Sequence, residues 1–275
     1  MFGGRFSRFG GTPPVIKNLI YLNVIMFLAS WALQSQMHID LSDYLGAHYF
    51  KSEFFRPYQL VTYMFMHSLV DPMHIFFNMF GLWMFGRILE GVWGSKRFFI
   101  YYFVTGIGAV LINMLVQYFE LNHLADLVVS YNSHPTYAAF SSAMNTYVSN
   151  PTNEIKNFLY QFQSDPGNIG LIDQSKAYMQ SLFIEMLNVP VIGASGAIFG
   201  VLLAFGMLFP NTELMLLFPP IPIKAKWFVL GYGVIELFLG VTQLGSNIAH
   251  FAHLGGMLFG FILVKYWNRS RTNFY

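Results

Sequence analysis

Along the chain, apolar positions gather into six long runs, at about 17–36, 73–89, 98–119, 190–209, 227–244 and 248–267. A helix needs roughly 20 apolar residues to cross about 30 Å of hydrocarbon, so each run predicts one membrane span, the second being short. The first run follows a basic, Gly-rich stretch from Arg5 to Lys17 and lacks the small-residue cleavage site of a signal peptide. It reads as a retained helix that also targets the chain. Polar residues collect in two long connections, 37–72 and 120–186. The second holds Pro135, Pro151 and Pro166 with Glu120, Asp126, Glu154, Asp165, Asp173 and Glu185, and predicts a water-exposed excursion with some short helix. Residues 174–187 form an amphipathic pattern that should end before Pro190.

Composition agrees with this pattern: 55% hydrophobic and 19% aromatic residues with 10% charged ones lie far from the soluble average. The expected fold is an all-α membrane protein, a six-helix bundle with a long first outer loop and an extended insertion between the third and fourth helices. Its parts are a short leader at 1–16, one membrane domain at 17–267 that includes the 120–186 insertion, and a tail at 268–275. If the N-terminus is cytoplasmic, the inner side holds Arg5, Arg8, Lys17, Arg87, Lys96, Arg97, Lys224, Lys226, Lys265, Arg269 and Arg271. Only Lys51, Arg56, Lys156 and Lys176 fall outside, so eleven of the 15 basic residues predict cytoplasmic termini. The net charge of +2 therefore reflects topology rather than nucleic-acid binding. The chain has no cysteine, which excludes thiol catalysis and thiolate-held clusters.

Polar groups inside the runs carry the chemistry. Ser195 stands in Gly193-Ala194-Ser195-Gly196, and His253 lies in a stretch with no charge between Ile248 and Val264. A serine in a membrane helix ordinarily bonds its own backbone carbonyl one turn back, a structural use that would account for Ser195 alone. A histidine in hydrocarbon is costlier and marks a functional candidate. Gly196, Gly200 and Ala204 recur every four residues, while Gly256 and Gly260 follow His253 at offsets of three and seven. Two smooth stripes predict close approach of the fourth and sixth helices, which brings His253 toward Ser195. A base there can take the hydroxyl proton, and this points to peptide-bond hydrolysis inside a membrane. In the second run His74 and Asn78 share a helical face, and their N–H groups suit a developing oxyanion. They serve equally well to tie that helix to a neighbour. The soluble GxSxG elbow does not fit, because position 197 is Ala and no strand precedes it.

Together these elements resemble the rhomboid family of intramembrane serine proteases, over residues 56 to 264. The resemblance rests on Arg56-Pro57-Tyr58-Gln59-Leu60, Met66-His67, His74 with Asn78, Glu90 with Gly94, the Gly193 to Gly196 motif, and Ala252-His253-Leu254-Gly255-Gly256 with Gly260. It implies Ser195 as nucleophile and His253 as general base, then acid. It also implies a dyad without an acidic member, consistent with the absence of a carboxylate near either residue within its own span. The oxyanion would be held by His74, Asn78 and the backbone N–H groups near Ser195, at Ala194 and Ser195. Phe199 stands where the family stacks an aromatic ring on the catalytic histidine. Gly193, Gly196, Gly256 and His250 would support the site.

Ala249-His250 repeats the pair Ala252-His253, but only His253 has Gly at plus three and plus seven. His253 therefore takes the base role, and His250 is expected at the mouth or in packing. Asp71-Pro72 and the length of 120–186 depart from a minimal six-helix member. The insertion is expected beside the cleft, affecting substrate entry, or as a bland surface addition. Because hydrolysis consumes water, His67, His74, His250 and His253 are expected to line an outward cavity. Substrates should be membrane helices whose upper turns unwind. No cofactor is expected; the partners are transmembrane protein substrates and the bilayer, without nucleic acid or metal. Two rivals are a catalytically silent rhomboid-like protein that binds membrane helices, and a metal site or transporter built on the four histidines. For the latter, HxxH lacks the Glu of HExxH and Glu236 is the only nearby carboxylate. The basic leader points to a prokaryotic cytoplasmic membrane.

Overall fold

The computed structural model describes residues 11–148, 150–215, 220–242 and 250–268. Arg5, Arg8, Arg269 and Arg271, with the predicted run ends at 243–244 and 248–249, lie outside the described residues. α1 (Pro14–Met37) leads into a loop carrying α2 (Ser42–Leu45) and α3 (Gln59–Thr62). α4 (Pro72–Gly81) runs through a π-helical turn, Leu82–Gly86, into α5 (Arg87–Trp93). After α6 (Ser95–Ser133) come α7 (Tyr137–Tyr147), α8 (Asn153–Ser164) and α9 (Ile169–Asn188). α10 (Ser195–Leu208) is followed by β1 (Glu213–Met215), β2 (Pro222–Lys224), α11 (Ala225–Thr242) and α12 (His250–Asn268).

Among the described residues α1, the helix Pro72–Trp93, α6 and α11 are long and apolar enough to cross a membrane. Trp31, Phe77, Trp227 and Phe238 on these helices are each more than half exposed. Water would reject such a surface and lipid accepts it, so the chain is a multi-pass membrane protein. The second run, short by sequence, belongs to a helix of 22 residues. The Asp71-Pro72 departure is its start: Asp71 accepts the Met73 N–H and Pro72 occupies the first turn, so the dipeptide is a helix cap.

The structure corrects several expectations. α6 does not stop near 119 but continues to Ser133, and its 39 residues span about 58 Å, nearly twice the hydrocarbon thickness. The 120–186 connection is more than an excursion with short helix. The end of α6 joins α7, α8 and α9 around a second apolar core that includes Leu124, Val128, Phe140, Phe158, Phe162 and Met179. Thr136, Thr152 and Asn168 cap its three helices by accepting backbone N–H groups. The predicted amphipathic segment, 174–187, lies within the 20 residues of α9, which begins five residues earlier. The chain is also not wholly α, since β1 and β2 pair antiparallel between α10 and α11.

Inside the bundle α10 and α12 meet along their glycines. A Cβ on Gly256 would overlap the Gly196 carbonyl, and one on Gly260 would fall 3.3 Å from the Gly200 backbone. The loop between α1 and α4 is organised by the buried Gln59, whose Oε1 accepts from Arg56 and His48 N–H and whose Nε2 donates to Tyr44 and Phe54 carbonyls. At the opposite end the buried Glu90 accepts the free N–H groups of Val15 and Ile16 at the start of α1, at 3.0 and 2.9 Å, and the Ser95 hydroxyl at 2.6 Å. Gly94 then turns the chain at φ +81, a conformation glycine adopts without strain. Glu90→Ala strands two helix-terminal donors, and we expect it to destabilise the fold by about 3 kcal/mol in detergent unfolding measurements.

Candidate active site

The fourth apolar run begins at 190, but α10 begins only at Ser195. Two local causes hold the intervening residues extended. Val191 bridges to Ala47 in the loop between α1 and α4, and Gly193 adopts φ +120, which side-chain-bearing residues rarely tolerate. The Gly193 N–H donates to the Tyr63 carbonyl at 2.9 Å, and the Tyr63 hydroxyl donates to the Gly106 carbonyl on α6 at 2.7 Å. Loop, extended segment and bundle are thereby fixed to one another. The first turn of α10 leaves backbone N–H groups without helical acceptors beside Ser195.

His253 on α12 reaches this turn. Its Nε2 lies 2.8 Å from Ser195 Oγ, and its ring stacks on Phe199 with centroids 4.2 Å apart and planes 6° from parallel. Phe199 is one turn below Ser195 on α10, so one helix supplies both the hydroxyl and the surface that orients the imidazole. Both Ser195 and His253 are half-buried. The glycine stripes permit this approach, as helix backbones without intervening side chains stand close enough for two short polar side chains to meet.

His74 on α4 closes another side. A methyl group on Gly193 would sit 2.9 Å from His74 Nε2 and 3.7 Å from Ser195 Oγ, so the bare glycine leaves a small space bounded by both. His74 Nδ1 accepts the Ser68 N–H at 3.4 Å, and a neutral imidazole then carries its hydrogen on Nε2. Asn78 Nδ2 spends one hydrogen on the His74 carbonyl at 2.9 Å and retains a second. Ala194 and Gly193 are buried beneath this space, and Gly196 lies against the Ala252 carbonyl on α12.

The four histidines do not share one water-facing lining. His67 is 2% exposed and packs edge-on against His74 with centroids 5.1 Å apart. Burial, and secondarily the His74 imidazole, pushes the His67 imidazole down to about 3, so it remains neutral at ordinary pH. His250 is 4% exposed and is neither a mouth residue nor simple packing. Its Nδ1 lies 2.7 Å from Glu236 Oε2, and the same oxygen lies 2.9 Å from His253 Nδ1. Neither Ser195 nor His253 has a carboxylate within its own span, but α11 delivers one from outside both. Glu236, His250 and His253 offer ligand atoms within 4.8 Å of one another, so this trio, rather than the four histidines, is where a cation would fit.

A family model described as Rhomboid domain matches residues 55–127 and 169–269. The unmatched residues between the two segments hold α7 and α8. Rhomboid protein 1, mitochondrial, of Saccharomyces cerevisiae is 35% identical over 81 residues, covering 30% of this chain and 23% of that protein. The match spans about a quarter of the relative's length.

Proposed function

The chain belongs to the rhomboid family, and from that premise we propose that it is an intramembrane serine endopeptidase that cuts peptide bonds in or near membrane helices, with Ser195 as nucleophile and His253 as general base. The observation that carries the reading is the 2.8 Å contact between His253 Nε2 and Ser195 Oγ. In the first step Ser195 Oγ bonds to the scissile carbonyl carbon while its proton passes to His253 Nε2, and the carbonyl π electrons move onto oxygen. His74 Nε2–H, the free Asn78 hydrogen and backbone N–H groups at the start of α10 are the proposed donors to that oxyanion. Collapse breaks the C–N bond, and the amine departs with the proton from His253. Water then bonds to the acyl carbon, giving a proton to His253, and the C–Oγ bond breaks as that proton returns to Ser195 Oγ and the carboxylic acid leaves.

The proposal includes an orientation with the Lys/Arg-rich connections on the cytoplasmic side, which puts Ser195 toward the outer face. The compartment proposed from the basic stretch at 5–17 is a prokaryotic cytoplasmic membrane, while the yeast relative is named as a mitochondrial protein. The insertion 120–186 packs on the end of α6, and just beyond it Asn188, the last residue of α9, accepts the Ser52 hydroxyl, which supports a place beside the first outer loop and an effect on substrate entry.

The test is cleavage of a model transmembrane substrate by the reconstituted chain, together with labelling by a fluorophosphonate. Wild type should yield two fragments and take the label, and Ser195→Ala should do neither. Labelling of Ser195→Ala as strong as wild type sinks the serine assignment. Capture of the substrate by wild type with neither product nor label points instead to a silent helix-binding protein.

A further inference from the structure

We propose that Glu236 is a positioning residue for His253, making the reacting set a Ser195–His253–Glu236 relay in which His250 holds the carboxylate. The inference rests on the protease reading and adds an acidic member to it.

An ionisable side chain inside an apolar helix is expensive unless it is paired, and Glu236 is 7% exposed within α11. Its Oε2 stands within hydrogen-bond distance of two imidazole Nδ1 atoms, 2.7 Å from His250 and 2.9 Å from His253. An ionised carboxylate only accepts, so it selects the Nδ1–H form of His253 and leaves the Nε2 lone pair for the Ser195 hydroxyl. Without it the imidazole is free to carry its hydrogen on Nε2, where it cannot act as a base.

The constraints on the ring are complementary. Stacking on Phe199 at 6° fixes the ring plane, while hydrogen bonds at opposite nitrogens, 2.9 Å to Glu236 and 2.8 Å to Ser195, fix rotation within it. When His253 takes the serine proton, the imidazolium forms 2.9 Å from a negative charge. Glu236 keeps its charge throughout and takes no proton, so the proton balance of the proposed reaction is unchanged.

His250 serves a different atom. Its second donor to Oε2 shares the cost of the buried carboxylate and prevents it from turning away, while its own Nε2 is buried without a partner among the described residues. The groups facing His253 are Glu236 from α11, His250 from its own helix, His74 from α4, and Tyr232 beyond Phe199. At this turn of α12, α6 presents apolar Ala109 and Ile112. Glu236 is thus the negative charge among these neighbours.

The experiment compares wild type, Glu236→Gln and Glu236→Asp as full-length reconstituted chains over a range of pH. Glu236→Gln should lose on the order of 100- to 10,000-fold in kcat with KM little changed. Fluorophosphonate labelling should slow in parallel, and Glu236→Asp should recover part of both. In wild type, nitrogen-15 spectra of His253 should report hydrogen on Nδ1, a measurement that requires no variant to fold.

A Glu236→Gln enzyme with unchanged kcat and an unchanged labelling rate overturns the inference, as does hydrogen on Nε2 of His253 in wild type. Loss of wild-type activity on chelation, restored by zinc, also overturns it and makes the trio a cation site. If wild type neither cleaves nor labels, the protease reading itself fails and this inference falls with it. An active, labelled wild type separates that failure from failure of the Glu236 role alone.

Discussion

Replacing His253 by alanine is expected to cut the rate of substrate cleavage by on the order of 10,000-fold or more, while His250→Ala retains measurable activity. The two histidines are one helical turn apart on α12 and read almost alike in the chain, yet their hydrogen bonds differ in kind. His253 spans two partners, with Ser195 Oγ at Nε2 and Glu236 at Nδ1. Among the described residues His250 has only Glu236 as a partner, and its Nε2 has none. Removing His253 eliminates the proposed proton acceptor, leaving Ser195 with no base. Removing His250 costs one of two donors to the carboxylate and leaves the Ser195–His253 contact in place. Substrate cleavage and fluorophosphonate labelling of both variants, with unfolding midpoints as a control on folding, check the difference. Activity in His253→Ala together with its loss in His250→Ala would reverse the assignment.

The parts of this site that were legible depend on short-range periodicity. Ser195, Phe199 and Gly196 belong to one helix, as do His253, Gly256 and Gly260, so a spacing of three, four or seven places each set on a face. Their meeting could be anticipated because small residues on both helices allow close approach. Glu236 carries no such signal: it lies 17 residues before His253 on another helix, and only packing brings the two together. A carboxylate in an apolar run is nonetheless a functional candidate in its own right, and that argument alone would have paired it with the nearest histidines. The end of α6 was misjudged for another reason. Glu120, His123 and Asp126 break the apolar run but not the helix, since Leu121, Leu124, Val128 and Tyr131 continue a buried stripe at helical spacing. Hydropathy marks where lipid contact ends, whereas helical period marks where the helix ends. Beyond that point Thr136, Thr152 and Asn168 cap the three following helices, a local signal that the hydropathy pattern passes over.

Gly256→Ala is the substitution expected to do the most structural damage for the fewest added atoms. Its Cβ would fall on the Gly196 carbonyl, a backbone atom that cannot rotate aside as a side chain can. α10 and α12 would have to separate, at a cost we expect near the upper end of overpacking, about 3 kcal/mol. The same separation pulls His253 from Ser195, so activity should fall even in the fraction that remains folded. The matched control is Gly231→Ala on α11, where a Cβ would meet nothing within 4 Å. There alanine should be neutral or stabilise by up to about 1 kcal/mol, through its better helix propensity. Unfolding in detergent and substrate cleavage measured on both variants separate close approach from glycine content as such. If Gly256→Ala matches Gly231→Ala in both measurements, the glycine contact does not set the distance between Ser195 and His253. If only Gly256→Ala fails, the contact that holds two apolar helices together also sets the 2.8 Å on which the proposed proton transfer depends.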